Sequence, residues 1–190
     1  MQAVRLFFAL WPSPREQLRF RDAAQDLVPS LCGRWIAPEN IHLTLLFLSS
    51  AREEWIGPLS SGIDRSLLPR VLLRLDRLLF QPAGKEGLLW LAPTEDASVP
   101  VALVESLRAR LRSLKIPIQE ARPFTPHITL ARGVALPHRA GSCRRQPILL
   151  HRLDPPIDWS VREMTLVSSE TLPEGSRYTP LASWALPQAG

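Results

Sequence analysis

Short runs of alternating apolar and polar residues recur along the chain, and this period of two is typical of half-buried β-strands. The runs predict strands over residues 3–11, 35–37, 41–48, 71–80, 88–91, 123–132, 161–168 and 178–186. Two other stretches repeat their apolar residues at helical spacing. One begins at Ser13-Pro14, an N-cap with a first-turn proline, and continues to Val28, and the other runs from Val101 to Leu114.

Each predicted helix has one apolar face. The side chains expected to be buried are Leu18, Ala23, Ala24 and Leu27 in the first helix and Leu103, Leu107, Leu111 and Leu114 in the second. Residues 52–68 are predicted to be helical in part, because Gly57-Pro58 interrupts them, and residues 133–147 are predicted to form a loop. Strands joined by turns beside two helices indicate an α+β fold rather than a parallel doubly wound sheet.

Composition places the chain among folded globular proteins. Of its 190 residues, 45% are hydrophobic and 22% charged, so disorder is excluded and residues 1–190 are predicted to form one domain. No apolar run approaches the roughly 18 residues that a membrane span needs, and the short apolar stretch Leu6–Trp11 lacks the basic leader of a signal peptide. The cysteines, Cys32 and Cys143, form no metal or redox pattern, so a reduced protein of the cytoplasm is expected.

Arginine carries the positive charge of the protein. Lysine and arginine together number 23 against 18 acidic residues, a net charge of +5, and only Lys85 and Lys115 are lysines. A guanidinium binds phosphate through paired donors, so the excess favours a phosphate-bearing partner, although an arginine-rich solvated surface explains it equally well. Arg139, Arg144 and Arg145 lie in the predicted loop, where they either steer RNA through its backbone charge or are simply solvated.

Two tetrapeptides share the pattern His-apolar-Thr-Leu. They are His42-Leu43-Thr44-Leu45 and His127-Ile128-Thr129-Leu130, and each lies in a predicted strand after a turn that contains proline. Residues i and i+2 of a strand point to the same face, so each copy presents one imidazole and one hydroxyl together. A single copy carries little information, since a lone histidine in a strand is usually structural. Two copies nearly half a chain apart indicate a functional pair.

Paired histidines and threonines suit the hydrolysis of a phosphodiester. A neutral imidazole can activate water, a protonated one can protonate the leaving oxygen, and threonine hydroxyls can donate hydrogen bonds to the non-bridging oxygens. Metal binding is the main rival, but a zinc site needs three or four ligands at short spacing, and no nearby Cys, Asp or Glu falls into such a pattern. Neither a metal nor a cofactor is expected. His138 and His151 have no repeated context and are predicted to be solvated or structural.

The two motifs and their flanks resemble a known family. The matching segments are Arg5–Leu10, Asn40–Leu48, Arg122–Arg132, Arg177–Leu181 and Trp184–Leu186. Together they are similar to the two-histidine phosphoesterase superfamily and, within it, to the RNA 2′,3′-cyclic phosphodiesterases, long called 2′-5′ RNA ligases. The resemblance implies a bilobal α+β fold with pseudo-twofold symmetry, in which two antiparallel-rich sheets flank a central cleft and the helices lie outside.

The resemblance also implies a role for each residue of the motifs. His42 would be the proton donor to the leaving 3′ oxygen, His127 would be the proton acceptor for water, and Thr44 and Thr129 would bind the phosphate oxygens. From the residues alone, the symmetry of the repeat cannot say which histidine is the acid.

Three further residues match the family pattern. Arg132 would help to bind the phosphate, but strict alternation from His127 points it to the other face unless the strand ends or bulges first. Arg177 and Tyr178 would contact substrate, Tyr178 by stacking on a base, although a core aromatic explains this tyrosine equally well. Phe7 and Phe8 are expected in the core.

The implied reaction opens a 2′,3′-cyclic phosphate at an RNA end to a 2′-phosphomonoester without a metal. The expected partners are RNA with such an end, tRNA halves for example, or small cyclic nucleotides. The protein is expected to be a monomer without a membrane partner. Two alternatives stay open: a 2′-5′ RNA ligase, as the reverse reaction at the same phosphate, and a non-catalytic RNA-end binding protein.

Overall fold

The structure is a computed structural model that describes residues 3–93, 97–118, 123–135, 146–172 and 175–188. The strands are β1 (Ala3–Leu10), β2 (Cys32–Trp35), β3 (Leu43–Arg52), β4 (Val71–Ala83), β5 (Glu86–Pro93), β6 (Ile128–Ala135), β7 (Ile148–Val161), β8 (Glu163–Leu172) and β9 (Gly175–Ala185). The α-helices are α1 (Pro14–Leu27), α2 (Ile56–Ser61) and α3 (Ser98–Ser113), and short 3-10 turns occupy Pro38–Asn40, Glu53–Trp55 and Arg65–Leu67.

All of these strands belong to one antiparallel sheet. Its order is β7-β4-β5-β6-β3-β1-β8-β9, and β2 pairs with β6 beside this path. The two halves, β7-β4-β5-β6 and β3-β1-β8-β9, are joined by the single residue pair Leu43 and Ile128. The antiparallel α+β architecture is therefore confirmed. The two predicted sheets are two four-stranded halves of one sheet, because the hydrogen-bonded ladder continues across this pair.

The hydrophobic core lies on one face of the sheet and is continuous across both halves. Leu43 and Ile128 are fully buried in it, together with Phe20 of α1 and Leu107 of α3. Helix α1 contacts β6 and β7, and α3 contacts β3. The helices thus cover this face, and the opposite face of the sheet is left for the cleft described below.

Helix α1 begins as predicted, and its predicted apolar face is confirmed except at Leu18, since Ala24 is buried and Ala23 and Leu27 pack against the core. The hydroxyl of Ser13 accepts the backbone N–H of Glu16, whose carboxylate accepts the N–H of Ser13, so a capping box starts the helix. Gln17 and Phe20 are buried with Ala24. The prediction that Leu18 is buried is wrong, since this side chain is 44% exposed. The spacing of residues 17, 20 and 24 defines the buried stripe and leaves position 18 outside it.

Several other predicted boundaries differ from the structure. Strand β7 was not predicted, because Pro155-Pro156 interrupts its pattern; it lies at the edge of the sheet, where proline is tolerated. Gly57-Pro58 lies inside α2, in its first turn, where proline removes no helical hydrogen bond. The predicted loop over 133–147 begins later, since β6 continues to Ala135.

Some of the predicted features lie outside the described residues. They are Arg122, His138, Arg139, Cys143, Arg144 and Arg145. Within the described residues, none of the helices has both the length and the apolar character that crossing a membrane requires.

Candidate active site

The two His-apolar-Thr motifs meet at the centre of the sheet. Leu43 and Ile128, the middle residues of the motifs, are the one pair through which β3 and β6 are joined, and the strands are antiparallel. This register places His42 across from Thr129 and Thr44 across from His127. Diagonal positions of such a pair lie about 7 Å apart, so His42 and His127 occupy neighbouring positions where the two strands meet. The central apolar residues point into the core, and the four polar side chains therefore point away from it.

A bulge follows the motif in each of the two strands. The pairing of β1 with β3 shifts register after Thr44, and the pairing of β5 with β6 shifts register after Thr129. Each bulge inserts one residue and reverses the alternation of faces. The fifth residue after each histidine consequently returns to the cleft face: Phe47 in β3 and Arg132 in β6. This answers the sequence argument against Arg132, whose side chain lines the same cleft as His127.

Both imidazoles are oriented by a backbone carbonyl two residues earlier. Nδ1–H of His42 donates to the Asn40 carbonyl at 2.7 Å, and Nδ1–H of His127 donates to the Thr125 carbonyl at 2.7 Å. In a neutral ring this leaves Nε2 as the acceptor. Nε2 of His42 accepts a hydrogen bond from the Thr44 hydroxyl at 3.0 Å. The two rings thus share one tautomer, with the reactive nitrogen free of the backbone.

Aromatic rings enclose His42 on several sides. Trp11 stacks on it at 4.9 Å and Phe7 at 5.0 Å between ring centroids, and Tyr178 meets it edge to face at 5.2 Å. The pKa of His42 is lowered to about 4, chiefly by burial; the hydrogen bond to the Asn40 carbonyl opposes this effect, and the nearby Arg132 and His127 add to it. The ring is therefore neutral in the free protein at neutral pH.

His127 has a simpler surrounding. Trp90 of β5 stacks on its ring at 3.7 Å between centroids. Burial lowers the pKa of His127 as well, and the hydrogen bond to the Thr125 carbonyl opposes that effect. Both imidazoles are consequently neutral in the free protein at neutral pH, although the aromatic enclosure differs between them.

The cleft that contains both motifs has a volume of about 980 Å³. All of the side chains predicted for the site line it: His42, Thr44, His127, Thr129, Arg132, Arg177 and Tyr178. Phe7 is buried, as expected, but it lies in a small cluster on the cleft face, whereas Phe8 lies in the main core.

Sequence reasoning missed several residues of the site. Arg5, Arg34 and Phe47 also line the cleft, and Arg34 of β2 is the cross-strand neighbour of Arg132. Trp11 and Trp90 stack on the histidines. Alternation from Phe7 places Arg5 on the same face and could have indicated it. No local signal indicated the others, since strand pairing brings them to the site.

Gln17 holds the turn that carries His42. This side chain is buried, with 3% exposed, and its amide donates to the carbonyls of Glu39 at 3.4 Å and Ile41 at 3.1 Å. These carbonyls lie on either side of Asn40, whose own carbonyl orients the His42 ring. The side-chain amide of Asn40 donates to the Ser176 carbonyl of β9 at 3.4 Å. Helix α1 and strand β9 together fix the position of the imidazole.

Replacing Gln17 by leucine removes both donors while keeping the buried volume. We expect Gln17→Leu to lower the free energy of unfolding by about 1–3 kcal/mol, because buried carbonyls lose their partners. We also expect kcat per folded molecule to fall by roughly tenfold, since a small displacement of a catalytic group has a large effect. Urea unfolding and steady-state kinetics measure the two effects. The matched control is Gln25→Leu on the same helix, and equal losses in both variants would contradict this role.

Among the residues that the structure describes, no group of three or more His, Cys, Asp or Glu side chains is placed to hold a metal ion. What converges instead is a pair of imidazoles, a pair of threonine hydroxyls and a guanidinium around one cleft. An antiparallel fold with this site defines a two-histidine phosphoesterase. The chain belongs to the 2′-5′ RNA ligase superfamily, whose family model matches residues 11–172.

Two curated relatives match almost the whole chain. The RNA 2′,3′-cyclic phosphodiesterase of Escherichia coli is 33% identical over 97% of this chain and 97% of its own length. The RNA 2′,3′-cyclic phosphodiesterase of Thermus thermophilus is 32% identical over 96% of this chain and 90% of its own. The crystal structure of E. coli LigT in complex with 3′-AMP superposes with a TM-score of 0.76 at 28% identity, covering 98% of this chain and 100% of that one.

Proposed function

We propose that the protein hydrolyses a 2′,3′-cyclic phosphate at an RNA end to a 2′-phosphomonoester by acid–base catalysis between two histidines. The observation that carries this proposal is the pairing of Leu43 with Ile128, since in this register the two histidines occupy diagonal positions about 7 Å apart, a separation at which both can reach one phosphate group. The curated relatives that bear the name RNA 2′,3′-cyclic phosphodiesterase support the same reaction.

In the proposed step His127 is the base and His42 the acid. A water oxygen attacks phosphorus while Nε2 of His127 takes a proton from that water. The bond from phosphorus to O3′ breaks, and O3′ takes the proton from Nε2 of His42. The phosphate stays on O2′, so atoms and charge balance. Thr129 and the guanidinium of Arg132 donate to the non-bridging oxygens, where negative charge develops in the transition state.

The asymmetry of the two halves supports this assignment of roles. The aromatic rings Phe7, Trp11 and Tyr178 cluster around His42, and such rings favour a nucleoside on that side of the phosphate. The leaving O3′ belongs to the nucleoside, and in-line attack brings water from the opposite side. The acid is therefore the histidine on the aromatic side, and the base is His127.

The hydrogen bond between Thr44 and His42 supports a switch on substrate binding. In the neutral ring, Nε2 accepts from the Thr44 hydroxyl. Once Nε2 carries a proton it becomes a donor, and the Thr44 hydroxyl is released to donate to a phosphate oxygen. Protonation of the acid and completion of the oxyanion site are thus one event.

An RNA oligonucleotide ending in a 2′,3′-cyclic phosphate tests the reaction when incubated with the protein in EDTA. The expected product is the 2′-phosphomonoester, separable from the 3′ isomer by chromatography. Absence of turnover with tight, salt-dependent binding would instead support a non-catalytic RNA-end binding protein. Joining of 5′-hydroxyl RNA in the same assay, at a rate comparable with hydrolysis, would support the 2′-5′ RNA ligase.

Binding of an anion is expected to be coupled to proton uptake. The pKa of His42 is about 4 in the free protein, and a bound anion raises it by favouring the imidazolium. At a pH between the pKa of His42 in the free protein and its pKa in the complex, the imidazole is protonated only in the complex. The affinity for the anion therefore falls as the pH rises through this range. Calorimetry with sulfate at pH 6, in two buffers of different ionisation enthalpy, should show uptake of up to about one proton per site. Uptake of none would contradict the proposed acid.

We further infer that the protein acts as a monomer in the cytoplasm, on RNA ends such as those of tRNA halves or on small cyclic nucleotides. The support is that both halves of the sheet share one continuous hydrophobic core and that Cys32 is an exposed thiol. Size-exclusion chromatography with light scattering tests the oligomeric state.

A further inference from the structure

The cleft extends well beyond the two histidines, along β1 and the β8–β9 hairpin. Strand β1 presents Ala9 opposite Thr44, then Phe7 opposite Phe47, and then Arg5 beside Ser169 of β8. Alternate residues share a face, so these three positions follow one another on one face of β1, and Phe7 and Arg5 line the cleft. The Cα atom of Arg5 lies about 13 Å from that of Ala9 at the usual rise of a strand. The cleft therefore has room for more than a phosphate.

Arg5 is held in the cleft without a carboxylate partner among the described residues. Its guanidinium donates to the Thr171 hydroxyl at 2.6 Å and lies 5.5 Å from the ring centroid of Phe47. The neighbouring Arg177 differs, because its guanidinium lies 3.7 Å from the Glu170 carboxylate. The charge of Arg5 is thus positioned but not neutralised, which suits an anionic ligand.

Phe47 is unusual in a strand whose other described apolar side chains are buried. It is 41% exposed although it stacks on Phe7 at 6.2 Å, and its open surface faces the cleft. The bulge after Thr44 places it there, at the position that Arg132 occupies in the other half. An exposed ring between the proposed phosphate site and a guanidinium without a carboxylate partner offers a stacking surface for a base.

We propose that Phe47 and Arg5 form a subsite for the base and the 5′-phosphate of the nucleotide that carries the cyclic phosphate. The guanidinium lies 5.5 Å from the centroid of the Phe47 ring, so a nucleotide whose base stacks on Phe47 has its 5′-phosphate within reach of Arg5. At the 3′ end of an RNA, the last nucleotide is linked to the one before it through a 5′-phosphate. A free nucleoside 2′,3′-cyclic phosphate has no such group. The protein therefore selects RNA ends over free nucleoside 2′,3′-cyclic phosphates. This inference rests on the proposed function and names its preferred substrate class.

Two substrates test the selection: adenosine 2′,3′-cyclic phosphate, and the dinucleotide ApA with a terminal 2′,3′-cyclic phosphate. We expect kcat/KM of the parent protein to be roughly tenfold or more higher for the dinucleotide, mainly because KM is lower. The shorter substrate lacks the charged hydrogen bond between Arg5 and the 5′-phosphate. Arg5→Ala should bring this ratio close to one and lower the slope of log kcat/KM against log salt by about one. Arg5→Lys should recover part of the preference. Phe47→Leu should raise KM for both substrates.

The exposed Arg15 on α1 provides the matched control, and Arg15→Ala should keep the ratio of the parent protein. Circular dichroism and thermal unfolding show whether each variant is folded. A parent protein that turns over both substrates with equal kcat/KM, or a ratio that Arg5→Ala does not change, would overturn the subsite and leave the proposed function standing. Failure to turn over either substrate would overturn both.

Discussion

Replacing either histidine by alanine should lower kcat on a cyclic phosphate end by about 10²–10⁴-fold, the usual contribution of one acid or base. His42 and His127 act on the same phosphate in one step, so the double variant should lose much less than the product of the two single losses. His42→Asn keeps a donor for the Asn40 carbonyl but has no titratable nitrogen, and it should be as impaired as His42→Ala. Single-turnover kinetics measure these effects.

The control for these variants is His151→Ala, because His151 is exposed on β7 and does not line the cleft. It should retain the activity of the parent protein. A p-nitrophenyl phosphodiester separates the two roles, since its leaving group needs no proton. With this substrate the kcat of the His42 variants should approach that of the parent protein, whereas the kcat of His127→Ala should stay low. The opposite pattern would exchange acid and base, and losses explained by unfolding alone would remove both from catalysis.

The chemistry of the site was predictable because its information is local and repeated. His42 and Thr44 are two residues apart in a strand, so alternation alone puts them on one face, and the second motif repeats the arrangement. That the two motifs meet depends on long-range pairing of β3 with β6, which no local pattern contains. The repetition of the motif, and then the resemblance to the family, supplied the expectation that the motifs meet, and the residue pairs that join the strands come from the structure alone.

Residues set by cross-strand register were not predictable in the same way. Strict alternation places Arg132 on the wrong face, and only the bulge after Thr129, visible in the pairing of β5 with β6, returns it to the cleft. Trp90 reaches His127 from a neighbouring strand for the same reason. The role of Gln17 could not be predicted, because a polar residue is not expected in the buried stripe of a helix. Its place there follows from the carbonyls that it satisfies in the turn before His42.

Arg132 should be the residue whose loss comes next in size after the histidines. Its guanidinium is the cleft cation nearest the paired motifs along β6, and losing a donor to a developing oxyanion costs about 10²–10³-fold in kcat. Arg132→Lys should recover only part of this loss, because an ammonium group is a point charge without the paired donors of guanidinium. The charge of Arg132 also lowers the pKa of His42, so Arg132→Ala should raise that pKa.

Two readouts therefore distinguish a phosphate-binding Arg132 from a merely structural one: kcat on the cyclic phosphate, and the pKa of His42 followed by NMR of the imidazole. Arg162→Ala, at an exposed arginine between β7 and β8, is the control that should change neither. A fall in thermal stability without either effect would place Arg132 outside the site. If Arg132→Ala lowers kcat but leaves the pKa of His42 unchanged, the guanidinium binds phosphate without an electrostatic effect on His42. Such an effect falls with the distance between the guanidinium and the imidazole.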